Sequence, residues 1–575
     1  PVKQALLDAG ISTDVYSSYE TSLYQPVYSI VAKNSNSKEQ DRFVSVINDT
    51  LEKLVKDGIN ERTIEAGINY YEFKYREADY GPYPKGLMYY LTMMDSWLYD
   101  ETKPFIHIEA GDTFDELKKN ARNGYFEKLI KEYLLDNNHK SIISLVPEYG
   151  LEKEKEQKEA DKLAEYKSTL TNDELEELVK KTKELKEYQD TPSSQEDLEK
   201  IPMLELSDIK REPAKDYNDV KSVDGIKIVH HNIFTNKIAY INMSFDTKCV
   251  PDELIPYMGL LGSTLSLMDT KNYTYPELTN EININCGGLA TGTALYSDKV
   301  DFSKNTIVYE VKSKALYEKV PFVLGMMEEI MYNTRFDDYK RLKEIIARIK
   351  SRLEASLMGQ GHSIAMLECC AQFSESAYYS DILRGYKYYE FIKKLDEEFE
   401  QNKTQIVDKL NKLVGYIFNK DNVIVSLTAD DEGYDCFVKA LSAKSCNIKD
   451  EHYNTAVRSF IPVNVKTGYT SASQVQYVAR CGNFVKDGYK YTGALKVLKV
   501  IFSYDYLWIN VRVKGGAYGC MSGSSRNGDF YMVSYRDPNL EKTNDIYEGA
   551  ADYIRNFNVS RRDMVKFIIG TIGEI

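Results

Sequence analysis

The chain has 575 residues, 43% of them hydrophobic and 28% charged, which is apolar material for roughly three to four cores and too much for an intrinsically disordered protein. A formal net charge of −14 argues against nucleic acid or an anionic membrane as the main partner and leaves a basic or neutral peptide. No stretch approaches the run of about 18 uncharged apolar residues that a membrane-spanning helix needs.

The sequence opens Pro1-Val2-Lys3-Gln4, which is neither a signal nor a transit peptide; with no initiator Met, the true start is expected upstream. Pro26 to Ala32, rich in β-branched and aromatic residues, predicts a strand, and Ser141 to Pro147 predicts another. Between them Lys38 to Asp57 and Asn60 to Arg76 predict amphipathic helices. Leu151 to Lys200 is Glu/Lys-rich with a narrow stripe of Leu175, Leu178, Val179, Thr182 and Leu185, so it predicts a solvated helical hairpin joining two larger bodies. Thr171 and Glu174 form a capping-box signature that starts its second helix near Asn172, and Thr191-Pro192-Ser193-Ser194 ends it. Beyond it, strands are predicted at Ile226 to His231, Ile238 to Asp246, Lys304 to Lys312 and Asn422 to Ala429. Helices are predicted at Leu254 to Leu267, Leu316 to Tyr332 and Phe336 to Met358, and Val475 to Arg480 opens a last strand-and-helix block. This mixture favours an α+β fold over a doubly wound parallel sheet.

An internal repeat runs through the two ends of the chain. Leu6-Leu-Asp-Ala-Gly10 precedes Tyr28-Ser-Ile-Val-Ala-Lys33 and a helix ending near Leu54; Val511-Arg-Val-Lys-Gly-Gly516 precedes Tyr531-Met-Val-Ser-Tyr535 and a helix ending near Phe557. Both copies read helix end, glycine turn, strand, turn, long helix. Asn60 and Ser560 then open the next helix in each. The second copy stops one helix later, so the chain reads as cut at both ends.

Eight cysteines without a C-x-x-C pair, none in the first two hundred residues, read as reduced thiols of a cytosol-like compartment, an organellar matrix being the alternative. The six histidines form no H-x-x-H, H-E-x-x-H or H-x-x-E-H. His230 and His231 are adjacent on a predicted strand and point to opposite faces, His362 sits at a helix boundary in a capping or packing role, and Cys369-Cys370 reads as buried thiol on a helix. The chain therefore carries no complete metal site of its own. Phosphate-loop and nucleophile-elbow motifs are absent, and Gly287-Gly288 and Gly515-Gly516 read as turns.

Val511-Arg512-Val513-Lys514-Gly515-Gly516-Ala517-Tyr518-Gly519 is the remaining candidate. Strand alternation puts Val511 and Val513 on one face and Arg512 and Lys514 on the other, and the glycines permit a turn that folds Tyr518 back toward Arg512. A guanidinium fork and a phenol hydroxyl converging on one point can donate to a peptide carbonyl or a developing oxyanion. A surface arginine beside a core tyrosine is the reading that the residues alone leave open.

Leu507-Trp508 through Gly519 and Ser534 to Leu540 resemble the C-terminal half of presequence-protease-like enzymes of the pitrilysin/insulinase zinc-peptidase superfamily. Tyr188 to Pro192, Tyr75 to Asp79 with Gly81 to Leu87 and Asp95-Ser-Trp97, and Gly361-His362 agree in colinear order over essentially the whole chain. The resemblance implies repeated pitrilysin-type domains joined by a helical-hairpin linker and closing around a chamber. On that reading residues 1–148 are most of the second domain, 149–200 the linker, 201–447 the third domain and 448–575 part of the fourth. It further implies a zinc endopeptidase acting on short unstructured peptides, with Zn²⁺ and its H-x-x-E-H in an N-terminal zinc domain of the same chain. Arg512 and Tyr518 would be its catalytic and substrate-binding residues here, and this stretch alone would be inactive without zinc. Counting back from Thr270-Lys-Asn-Tyr273-Thr-Tyr-Pro-Glu-Leu278 places Leu260-Leu-Gly-Ser-Thr264 where a third-domain zinc motif would stand, so that domain is expected to be a degenerate copy. A non-catalytic structural or peptide-binding member of the same fold is the alternative.

Overall fold

The computed structural model describes residues 1–574 apart from 192, 214, 216, 444–447 and 472. Pro192, Cys446 and the expected boundary at residue 447 thus lie outside the described residues. The chain divides into two units, Pro1–Asn137 with Pro213–Asn558, and Asn138–Glu212 with Val559–Ile575.

The largest core of the first unit is built on a six-stranded sheet. Its strands, in chain order, are β3 (Asp219–Val223), β4 (Ile226–Asn232), β5 (Ile238–Asp246), β6 (Leu289–Ser297), β7 (Asn305–Leu316) and β8 (Val423–Ala429); β1 and β2 belong to an earlier hairpin described below. Their spatial order is β3-β4-β8-β5-β7-β6, with β4 and β8 parallel and every other pair antiparallel. This is the expected α+β architecture. Period-two burial along β5 sends Ile241, Met243 and Phe245 into the core, where Phe245 meets Phe418 edge to face at 5.1 Å between centroids.

Helix Ile255–Thr264 covers this sheet because Leu260, Leu261 and Thr264 are wholly buried. Gly262 lets it approach β6 closely: a Cβ there would stand 3.2 Å from the Gly292 Cα, and Thr291 Oγ1 donates to the Gly262 carbonyl at 2.9 Å. Helices Val320–Tyr332 and Tyr339–Gly359 lie where their apolar periodicity predicts them.

The terminal repeat is real and richer than its sequence pattern. Each copy contains a two-stranded hairpin where one strand is predicted: β1 (Asp14–Glu20) with β2 (Val27–Lys33), and β10 (Gly519–Ser524) with β11 (Asp529–Tyr535). The latter pair joins β9 (Ala479–Asn483), which begins a few residues after the strand predicted from Val475. Helices Gln40–Asp57 and Glu61–Glu77 follow the first hairpin, and Glu541–Arg555 and Arg561–Gly573 follow the second. Asn60 accepts from the Thr63 amide and Ser560 from the Asp563 amide, so both second helices start on a side-chain cap.

Ser141 to Pro147 is not a strand. Its β-branched residues favour extended backbone, but β-structure needs a partner and none pairs with it among the described residues; Leu145 is 96% exposed. In the second unit helices Leu151–Thr169 and Asn172–Asp190 form as expected, with the Thr171–Glu174 capping box complete and no residue of the first helix buried. Arg562 donates to the Leu198 carbonyl at 3.0 Å, tying helix Arg561–Gly573 to the segment after this pair. No described helix is long and apolar enough to cross a membrane.

Candidate functional site

The stretch around Arg512 is helical rather than extended. Trp508–Val513 winds as a π-helix, with the Lys514 amide donating to the Ile509 carbonyl at 2.9 Å. Strand alternation therefore does not apply: Val511 is fully buried while Val513 is exposed, so the two do not share a face. The run of β-branched residues favours a strand, but burial of Val511 and Leu507 against helix Glu541–Arg555 and β10 fixes a helix instead.

The glycines do fold the chain back. Gly516 sits at φ +83°, and its amide donates to the Arg512 carbonyl at 2.9 Å while the Ala517 amide reaches the Val511 carbonyl at 3.1 Å. The first repeat makes the same stop one residue tighter, as a Schellman turn in which Gly10 donates to Leu7 O and Ile11 to Leu6 O. These bonds align Leu6 with Val511, both buried, and Leu7 with Arg512. The corner is thus a shared frame on which only the second copy carries arginine and tyrosine.

Arg512 and Tyr518 are brought together, with a division of labour the sequence did not show. Arg512 Nη1 donates to the Tyr518 main-chain carbonyl at 2.6 Å, and its guanidinium lies over the Trp508 ring at 4.1 Å and the Tyr518 ring at 5.5 Å. The Tyr518 amide donates to the Arg536 carbonyl at 3.2 Å, which holds the residue to the end of β11. The residue is 66% exposed, and its hydroxyl has no partner among the described residues. Arg512 therefore locks the backbone that presents a free phenol to solvent, and part of its donor fork remains open.

Sequence reasoning missed the aromatic support behind this corner. Tyr535 meets Tyr518 at 5.8 Å, His362 at 4.9 Å and Tyr477 at 5.7 Å between centroids. Gly361 admits Tyr477, since a Cβ there would run into its ring, and Tyr477 Oη donates to the Met358 carbonyl at 2.7 Å. His362 begins helix Gly361–Ala371 as expected; burial lowers its pKa, and its Nδ1 has no partner among the described residues. The adjacent Gly361-His362 was the one signal in the sequence that could have pointed here.

Of the other histidines His230 and His231 are packed, while His107, His139 and His452 are exposed. His230 Nε2 lies 3.0 Å from the Ala429 carbonyl, and His231 is held at 3.0 Å by both the Tyr217 carbonyl and Ser426 Oγ, from opposite faces of β4. The seven described cysteines are free thiols, and burial pushes the Cys286 thiol up to about 12. The one cluster of possible metal ligands among the described residues, Asp421, Asp450 and His452, is exposed, and His452 Nδ1 is paired with Asp421 at 2.5 Å. One histidine on an open surface does not fit a catalytic zinc, which takes three converging protein ligands. Leu260–Thr264, where a motif would stand, is helix core.

With this geometry, the chain is an α+β protein whose terminal repeats carry one arginine–tyrosine corner. Residues 145–395 match the family model for the associated domain of M16 peptidases, subfamily C, and residues 468–575 match the PreP C-terminal domain. The chain belongs to this presequence-protease-like branch of the pitrilysin family. It is 40% identical over 579 residues to Protein HypA of Clostridium perfringens, covering all of this chain and 59% of that protein. It is 30% identical over 585 residues to Presequence protease 1, chloroplastic/mitochondrial, of Arabidopsis thaliana, covering all of this chain and 54% of that protein. With Presequence protease, mitochondrial, of Yarrowia lipolytica the identity is 26% over 568 residues, or 96% of this chain and 56% of that one. The chain thus spans little more than half the length of these relatives.

Proposed function

We propose that this chain is the substrate-positioning part of a zinc-dependent endopeptidase that degrades short unstructured peptides in a closed chamber. The observation that carries the reading is the Arg512–Tyr518 corner: a phenol held exposed and unpaired by an arginine that stacks on it and hydrogen-bonds its carbonyl. A peptide carbonyl seated there takes a hydrogen bond from Tyr518 Oη and a second from the open part of the Arg512 fork. As the carbonyl oxygen gains charge in the tetrahedral state both bonds strengthen, which lowers the barrier rather than the ground state. Membership of a family that includes presequence proteases supports the peptide as substrate.

The zinc belongs, on this proposal, to a domain of the same protein outside these residues. The domain boundaries at 148, 200 and 447, with the third domain as a degenerate copy, belong to the same reading. The test is chelator-sensitive cleavage of an unstructured peptide by the full-length protein, with metal content measured. Residues 1–575 alone are expected to hold no stoichiometric zinc and cleave nothing. Cleavage by the full-length protein that survives complete metal removal would overturn the reading. Retained peptide binding without any cleavage would favour the non-catalytic alternative.

A further inference from the structure

A second feature lies on the same hairpin, away from the glycine turn. Helices Gly361–Ala371 and Glu375–Arg384, the end of β6 with the loop after it, and the β10–β11 turn border an open cavity of about 460 Å³, within the range of small-ligand sites. Leu295, Met366, Leu367 and Tyr531 give it an apolar floor.

Its one lining acid is already satisfied. Asp529 accepts from Ser374 Oγ at 2.7 Å and from Asn483 Nδ2 and Asn527 Nδ2 at 2.8 Å each, so it has little to offer a cation. Two exposed arginines also line the cavity, Arg384 at the end of its helix and Arg526 in the β10–β11 turn. Neither makes an ion pair or hydrogen bond among the described residues; Arg526 is placed by stacking on Phe302 at 5.5 Å. The hydroxyl of Ser380, only 9% exposed, lines the same space without a partner among the described residues.

We propose that this cavity binds the carboxylate end of a peptide whose last side chain is apolar. The side chain fills the floor, the terminal carboxylate lies between the two guanidinium groups, and Ser380 donates to it. An apolar floor gives a bare inorganic anion nothing, while an uncharged peptide end leaves both arginines unpaired; only the combination satisfies both walls. Tyr531 in the floor and Tyr535 behind Tyr518 lie on one face of β11, four residues and about 14 Å apart. If the proposed cleavage is correct, the scissile bond falls about four to six residues from the anchored end; that spacing rests on the peptidase reading, whereas the binding does not.

The test is fluorescence anisotropy with an N-terminally labelled, otherwise neutral hexapeptide ending in Phe, made as the free acid and as the C-terminal amide. The free acid should bind the protein about a hundredfold more tightly than the amide, roughly the effect of two charge-assisted bonds. Arg384→Gln and Arg526→Gln should each cost about tenfold and the pair should abolish the acid preference. Both side chains are exposed and unpaired, so the fold should tolerate these changes. Ser380→Trp, which fills the cavity, should remove binding of both peptides. Equal affinity for acid and amide, or an acid preference that persists in the double variant, would overturn the proposal whether or not the protein proves to be a peptidase.

Discussion

Replacing Tyr518 by Phe removes one oxygen that has no partner among the described residues and leaves the ring contacts with Tyr535 and Arg512 in place. The fold should therefore lose less than about 0.5 kcal/mol. If, as proposed, the full-length protein is a peptidase and the hydroxyl donates to the developing oxyanion, it loses about 3 kcal/mol of transition-state stabilisation, on the order of a hundredfold in kcat with little change in KM. Arg512→Lys is a different perturbation. It gives up the bond to the Tyr518 carbonyl at 2.6 Å and the stacking on Trp508 at 4.1 Å, together about 2 kcal/mol at a half-buried position. It should lower both stability and kcat, because an ammonium lacks the planar fork. The double variant should lose less than the sum, since Arg512 acts partly by placing Tyr518. Turnover of a quenched fluorescent peptide and urea denaturation of each variant, at matched zinc content, measure all of this. Full turnover in Tyr518→Phe would reduce the tyrosine to packing, and unchanged stability in Arg512→Lys would refute the carbonyl lock.

Three further outcomes follow from other parts of the molecule. Leu260→Ala empties a fully buried site under the six-stranded sheet and should cost about 2–5 kcal/mol by denaturant unfolding. Thr171→Ala breaks the capping box and should weaken helix Asn172–Asp190 by about 1 kcal/mol, seen as faster amide exchange in its first turn with the six-stranded core unaffected. Burial alone would raise the Glu329 carboxyl, but hydrogen bonds from Thr270, Asn333 and Asn272 outweigh it and hold its pKa below the usual value. A depressed carboxyl contributes stability that is present above its unfolded pKa and lost as pH falls through the folded one. Acidifying from about pH 5 to pH 3 should therefore cost the native protein more stability than Glu329→Gln; parallel loss in both would remove Glu329 from the acid transition.

Much of the architecture was legible because its signals are local. The period-two pattern of Ile238 to Asp246 coincides with β5, the apolar stripe of Lys38 to Asp57 became helix Gln40–Asp57, and Thr171 with Glu174 made the cap their spacing implies. The repeat could be read because helix, glycine stop and capped helix each leave a mark within a few residues. Adjacent histidines on a strand had to face opposite ways, and they do.

Where sequence reading failed, the deciding term was a contact between distant segments. Ser141 to Pro147 and Leu507 to Val513 are both rich in β-branched residues, yet the first has no partner strand among the described residues and the second was wound into a helix by burial of Leu507 and Val511. Extended propensity becomes a strand only where a partner supplies the hydrogen bonds. By itself the sequence determined that an arginine, two glycines and a tyrosine share one corner. Tertiary structure decided that the arginine holds the tyrosine's carbonyl, that His362 and Tyr477 stand behind Tyr535, and that Arg384 and Arg526, 142 positions apart in the numbering, line one cavity. The bond from Arg512 is set by the local helix end and glycine turn, whereas the other two relations arise from packing helix Gly361–Ala371 against β9 and β11, and no spacing along the chain encodes them.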